Sequence, residues 1–137
     1  MNPLKKAAVA VGVAATALAG TVATASPAVA ATYAGECGGG YGVVNSAPIG
    51  SVGTVFLTYN SSNGYNCVVA KRNAAGSPVI IEAGLSIHPA GNHWDVYEGD
   101  YFTSYAGPIY LHAAGQCVDW MGRISGVEGG KRGTNCG

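Results

Sequence analysis

Between His93 and Tyr105 the chain sets five aromatic residues, Trp94, Tyr97, Tyr101, Phe102 and Tyr105, among three carboxylates, Asp95, Glu98 and Asp100. Aromatic faces stack on sugar rings, and carboxylates accept hydrogen bonds from sugar hydroxyls. The stretch therefore carries the materials of a glycan-contact surface, with Trp94, Asp95, Tyr97, Glu98, Tyr101 and Tyr105 as its ligand-binding residues. Paired carboxylates also act as acid and base in glycoside or phosphodiester cleavage, if the fold sets their separation. Plain strand chemistry competes with both ideas. It makes Trp94 and Phe102 core, chooses the tyrosines for β-propensity, and leaves the acids as turn and solubility residues.

Other reactive side chains point to less. His88 and His93 flank a turn at Pro89 to Gly91 with Asp95 nearby, but their spacing matches no recurrent metal site, so no metal is expected. Ser125 lacks the G-x-S-x-G surroundings of a nucleophile elbow. The run Gly38-Gly39-Gly40 has no strand–loop–helix pattern with lysine after it, which removes the phosphate-loop reading. No catalytic residue and no cofactor is assigned, and a non-enzymatic protein is expected. The alternatives are a small hydrolase or a secreted enzyme inhibitor, for which Arg72-Asn73 or Arg123-Ile124 would be the exposed bond.

The elements that would position these residues are strands. Tyr105 to Trp120 reads as two strands joined by a two-residue turn at Ala114-Gly115, with Pro108 at a strand start. That register sets Leu111 opposite Val118 and Ile109 opposite Trp120 on an apolar face. Tyr110 then faces Asp119, and His112 faces Cys117, on the other. A second hairpin, Thr54 to Arg72, centres on Asn63-Gly64 and pairs Tyr59 with Val68 and Leu57 with Ala70. Val79 to His88 alternates with Ile81, Ala83, Leu85 and Ile87 on one side. No segment after residue 30 keeps a helical period. The fold class is all-β: a small antiparallel β-sandwich or barrel of about six or seven strands. Leu57, Ile81, Leu85, Leu111, Val118 and Trp120 are the expected core.

Composition supplies the setting. Lys5-Lys6, the apolar run from Ala7 and the Ala28-Val29-Ala30 signature make residues 1–30 a signal peptide, with cleavage after Ala30 or, failing that, Ala31. Residues 31–137 then form a single secreted domain. That part carries five basic residues against seven acidic ones, a net charge of −2. It has no basic stripe for nucleic acid and no polybasic membrane patch. All four cysteines, Cys37, Cys67, Cys117 and Cys136, lie in it without any C-x-x-C pair, so two disulfides are expected rather than zinc. Cys37–Cys67 and Cys117–Cys136 are favoured because each closes a moderate loop within one half of the chain. Nothing in the pattern fixes an oligomeric state.

Several phrases taken together carry a resemblance. They are Ala31-Thr32-Tyr33 leading to Cys37-Gly38, Gly53-Thr54-Val55 through Leu57 to Ser62, and Asn66-Cys67-Val68-Val69. Thr103 to Pro108, Cys117-Val118-Asp119-Trp120 and the ending Gly133 to Gly137 complete the set. In this order they resemble the spore-associated protein A family of mycelial, spore-forming bacteria. The resemblance implies a small secreted protein of the cell or spore surface. It implies no catalytic residue, cofactor or ligand, so cell-wall or spore-surface polysaccharide stands as the expected partner on the aromatic stretch alone.

Overall fold

Short alternating segments broken by glycine, proline and asparagine turns become eight strands in the computed structural model, which describes residues 29–137. They are β1 (Gly42–Ile49), β2 (Gly53–Asn60), β3 (Tyr65–Arg72), β4 (Val79–Ile87), β5 (Val96–Phe102), β6 (Tyr105–His112), β7 (Val118–Ile124) and β8 (Val127–Thr134). The expected signal peptide lies, but for its last two residues, outside the described residues. Two four-stranded antiparallel sheets form, a first sheet in the order β1-β2-β3-β6 and a second in the order β5-β4-β7-β8. The class is all-β as expected, and the architecture is a sandwich.

The strand count exceeds the expected six or seven for two local reasons. β1 runs on through Pro48, which an edge strand tolerates because its missing N–H withholds no ladder bond. The segment beyond Ile124 also returns as β8. Its turn is Ser125-Gly126, with φ of 47° and 87°, and Ile124 pairs directly with Val127. Positive φ at both central residues is the type I′ geometry whose twist suits a tight hairpin.

The Ala114-Gly115 turn does something other than expected. β6 lies in the first sheet, where Ile109 pairs with Val68 and Leu111 with Asn66. β7 lies in the second, where Val118 pairs with Ile87 and Trp120 with Leu85. The two strands are therefore not a hairpin, and Tyr110–Asp119 and His112–Cys117 are not pairs. The turn itself is real, with Gln116 N–H donating to Ala113 O at 3.1 Å. Only Gly115 takes positive φ, at 70°. Both tight-hairpin turns need positive φ at the first central position, where Ala114 stands, so this turn carries the chain from one sheet to the other. Pro108 sits within β6, beside the bulge opposite Val69, rather than at the strand start.

The second hairpin exists with its register moved by two. Leu57 pairs with Val68 and Val55 with Ala70, because Ser61 to Gly64 form a four-residue loop. Gly64 N–H closes that loop on Asn60 O at 2.8 Å. A shift of two residues preserves the faces, so the same side chains still point inward.

Inward residues of both sheets form one core. Leu57, Ile81, Leu85, Val118 and Trp120 are fully buried as expected, joined by Ile49, Val55, Val68 and Ala70. Leu111 is only half-buried, since it lies next to the end of the edge strand β6. A smaller cluster covers the outer face of the first sheet. There Cys37, Cys67 and Val69 are packed by Tyr33, Tyr41 and Tyr105. The segment that carries Tyr33 and Cys37 is fastened by the Lys71–Glu36 ion pair and by Ala31 N–H donating to Asn73 Oδ1 at 3.0 Å. Both disulfides, Cys37–Cys67 and Cys117–Cys136, are the pairs expected.

Core depth separates two leucines. Leu57→Ala should destabilise the protein by about 2–5 kcal/mol in urea denaturation, and Leu111→Ala by clearly less. Equal losses would mean that β6 is packed more deeply than its edge position gives.

Candidate functional site

Alternation along β4 turns Ala83 and Leu85 into the core and leaves Glu82, Gly84 and Ser86 on the outer face of the second sheet. The pairing then sets out that face in rows. Tyr97, Gly84, Met121 and Gly130 stand opposite one another across the four strands, and Gly99, Glu82, Arg123 and Glu128 make the next row. Beyond them Ile80 faces Tyr101. Three glycines thus keep the floor of the face low.

Aromatic side chains lie on that floor. The indole of Trp94 covers Gly84 so closely that a Cβ there would meet its Cδ2 at 2.7 Å. The Arg132 guanidinium stands 5.2 Å from the Trp94 ring centroid, a cation–π distance. Trp94, Met121, Gly130 and Arg132 line a recess of about 370 Å³. The phenol oxygen of Tyr97 occupies the space above Gly99 and donates to Glu82 Oε1 at 2.6 Å. That bond, helped by burial, raises the Tyr97 pKa above the ordinary phenol value. Arg123 bonds Glu82 at 2.8 Å and Glu128 at 2.7 Å, so one polar chain runs from Tyr97 across β4 and β7 to β8. Its bonds to Glu128 and then Glu82 raise the Arg123 pKa. Tyr97 is 50% exposed and Tyr101 65%.

The structure divides the six expected ligand-binding residues. Trp94, Tyr97 and Tyr101 share the outer face just described. Asp95 instead joins segments of backbone, its Oδ2 accepting from Ile87 N–H at 2.9 Å and its own N–H donating to Ser86 Oγ at 2.7 Å. Glu98 alternates away from Tyr97 and accepts from Gly107 N–H at 2.6 Å. Tyr105 belongs to the outer face of the first sheet. Asp100 accepts from Tyr101 N–H at 2.7 Å, so all three carboxylates of the stretch hold main-chain amides. Glu82, Arg123, Glu128 and Arg132 complete the face, although they are scattered through the sequence. Gly84 was the available signal, because a glycine inside a strand marks close approach by another group.

A second polar cluster borders the face. Asp119, 1% exposed, accepts from His88 Nδ1 at 2.7 Å, Ala90 N–H at 2.8 Å, Gly133 N–H at 2.7 Å and Arg132 at 3.3 Å. Tyr110, its expected partner, donates to Cys37 O at 2.9 Å on the other sheet. His93 stays at the exposed turn, and His112 packs edge-on against Tyr65 at 5.3 Å. Among the described residues no group of three metal-ligating side chains forms. Burial alone would raise the Asp119 pKa, but the bonds from Ala90, His88 and Gly133 outweigh it and hold the carboxyl below the ordinary range.

Because its pKa is lower folded than unfolded, Asp119 contributes stability that is complete above its unfolded value, about 4. The contribution is lost as pH falls through the folded value. Asp119→Asn should therefore be less stable at neutral pH and should lose less stability than the wild type below pH about 4. Urea midpoints across that range measure both. Parallel acid curves for the two proteins would assign the acid sensitivity to other carboxylates.

No protein-family model matches the chain, and no solved structure does. Among curated proteins it is 49% identical over 126 residues to spore-associated protein A of Streptomyces coelicolor, covering 87% of this chain and 80% of that protein. At that identity and coverage the chain belongs to the spore-associated protein A family.

Proposed function

We propose that this protein is an exported, non-catalytic protein of the spore or cell surface, attached to wall or coat polysaccharide through the outer face of β5-β4-β7-β8. The observation that carries the reading is the exposure of Tyr97 and Tyr101 beside the Trp94 recess on a floor lowered by glycine. Flat rings on a low floor meet the face of a sugar ring. The Glu82–Arg123–Glu128 chain beside them holds fixed acceptors and donors for hydroxyl groups. Exposed aromatic clusters cost solubility, so their retention supports an interaction role. The relative is named for its association with spores, and two disulfides suit an oxidising exterior.

The local structure lends the inhibitor alternative no support. Arg123-Ile124 ends the central strand β7, with Ile124 buried. Arg72 ends β3 and donates to Ser77 O and Thr103 O at 2.9 and 3.0 Å. Neither bond stands in a protruding loop that a protease would enter.

Insoluble wall material should retain the protein in high salt, because stacking is not screened as exposed charge pairs are. The double variant Tyr97→Ala/Tyr101→Ala should bind at least about tenfold more weakly, a loss of about 1.4 kcal/mol, with an unchanged fold by circular dichroism. Undiminished binding by the double variant would remove the proposal. Steep loss of wild-type binding with salt would move the contact to Lys131 and Arg132.

A further inference from the structure

A recess larger than the one beside Trp94 lies at the end of the sandwich, where the core side chains give out. Tyr59 and Asn66 stand directly opposite each other as the last core-facing pair of β2 and β3, one step beyond Leu57 and Val68. Past them a cavity of about 470 Å³ opens, lined by Tyr59, Asn66, Val44, Ala113, Gly115 and the Asn135–Gly137 segment. Its volume lies within the range of small-molecule sites, and the open end of a β architecture is where such sites recur. The Cys117–Cys136 disulfide holds one wall in place. This cavity shares no residue with the aromatic face.

Its polar groups are few and specific. Asn66 is only 3% exposed, and its Nδ2 donates to Thr58 O at 3.1 Å. Among the described residues its Oδ1 has no hydrogen-bond partner, and no fully buried side-chain polar atom is left unpaired. Oδ1 is therefore open to solvent, and the cavity that Asn66 lines is its opening. Asn135 supplies the complementary group. Its Oδ1 accepts from Asn45 Nδ2 at 3.0 Å, which leaves its own Nδ2 as a donor. Val44, Ala113 and the Tyr59 ring make apolar wall, and no ionised side chain lines the space.

We infer that this cavity binds a neutral, monosaccharide-sized ligand carrying a secondary amide, of the kind an N-acetylated amino sugar presents. The ligand N–H meets Asn66 Oδ1, its carbonyl meets Asn135 Nδ2, and its methyl group lies against Val44 and Ala113. An anionic ligand would find no cationic side chain among the lining residues, so desolvation opposes it, and the amide pair of Asn66 Oδ1 and Asn135 Nδ2 suits a neutral donor–acceptor group. A sugar with only hydroxyls would leave the apolar wall unused. The inference does not rest on the wall-contact reading, since the two sites are separate.

The test follows amide chemical shifts of isotope-labelled protein during titration with N-acetylglucosamine, and separately with glucose. N-acetylglucosamine should shift Tyr59, Asn66, Ala113 and Gly115 with a dissociation constant on the order of 1 mM, and glucose should bind at least about tenfold more weakly. Val44→Trp fills the cavity from the half-exposed strand β1 and should abolish the shifts. Should that variant fail to fold, Asn135→Gly removes the donor amide while keeping the left-handed backbone, φ 55°, and should weaken binding by about tenfold. Tyr97→Ala/Tyr101→Ala should leave the titration unchanged. Absence of shifts, equal response to glucose, shifts confined to the Trp94 face, or full binding by the cavity variants would overturn the inference.

Discussion

Three side chains of the first sheet, Ile49, Val55 and Ala70, converge on one point of the second where there is no side chain at all. That point is Gly122, at which a Cβ would stand 2.8 to 2.9 Å from each of them. The approach of the two sheets depends on this vacancy, since interiors packed to crystal-like density leave no slack for an added methyl group. On either side of it β7 supplies Trp120 and Ile124, so large and missing side chains alternate along one strand. The indole is spanned at its polar end by Nε1 donating to Thr134 Oγ1 at 2.8 Å. A similar vacancy at Gly129 admits the carbonyl of Pro48, and there the edges β1 and β8 of the two sheets meet.

The two outer faces of the sandwich have unlike fates. Over the first sheet lies the segment that includes Tyr33 and Cys37, fixed by a disulfide, an ion pair and the amide of Ala31. Tyr33 and Tyr41 pack on the cluster of Cys37, Cys67 and Val69, and Tyr41 meets Tyr110 edge-on at 5.6 Å. Over the second sheet, among the described residues, only the Trp94 turn and Arg132 make such a cover. Aromatic residues of similar number thus become packing on one side and accessible surface on the other. The difference arises from where the chain preceding β1 is tied, not from the composition of the sheets.

Face assignments were legible in the sequence because side-chain alternation survives errors of pairing. Leu57, Ile81, Leu85, Val118 and Trp120 point inward whichever strands are neighbours. Strand partners were less legible, because they depend on turn backbone that a dipeptide does not determine. Asn63-Gly64 closes a four-residue loop, Ala114-Gly115 crosses between sheets, and Ser125-Gly126 makes the tight turn that Asn-Gly more often advertises. The aromatic half of the site could be read from one stretch of chain. Its charged half could not, since Glu82, Arg123 and Glu128 come from three strands and meet only through sheet register. Asp95 and Glu98 looked like ligand groups because sequence does not show that main-chain amides already occupy them.

The arrangement of the disulfides has a consequence for the order of assembly. Cys37–Cys67 and Cys117–Cys136 follow one another along the chain and neither encloses the other. Were the chain to enter an oxidising space amino end first, as the proposed export implies, Cys37 and Cys67 would meet there before Cys117 had appeared. The first thiol pair would then have no competitor, and by the time the second pair arrived the first would already be consumed. In a chain exported in that order, timing alone would favour the observed connectivity.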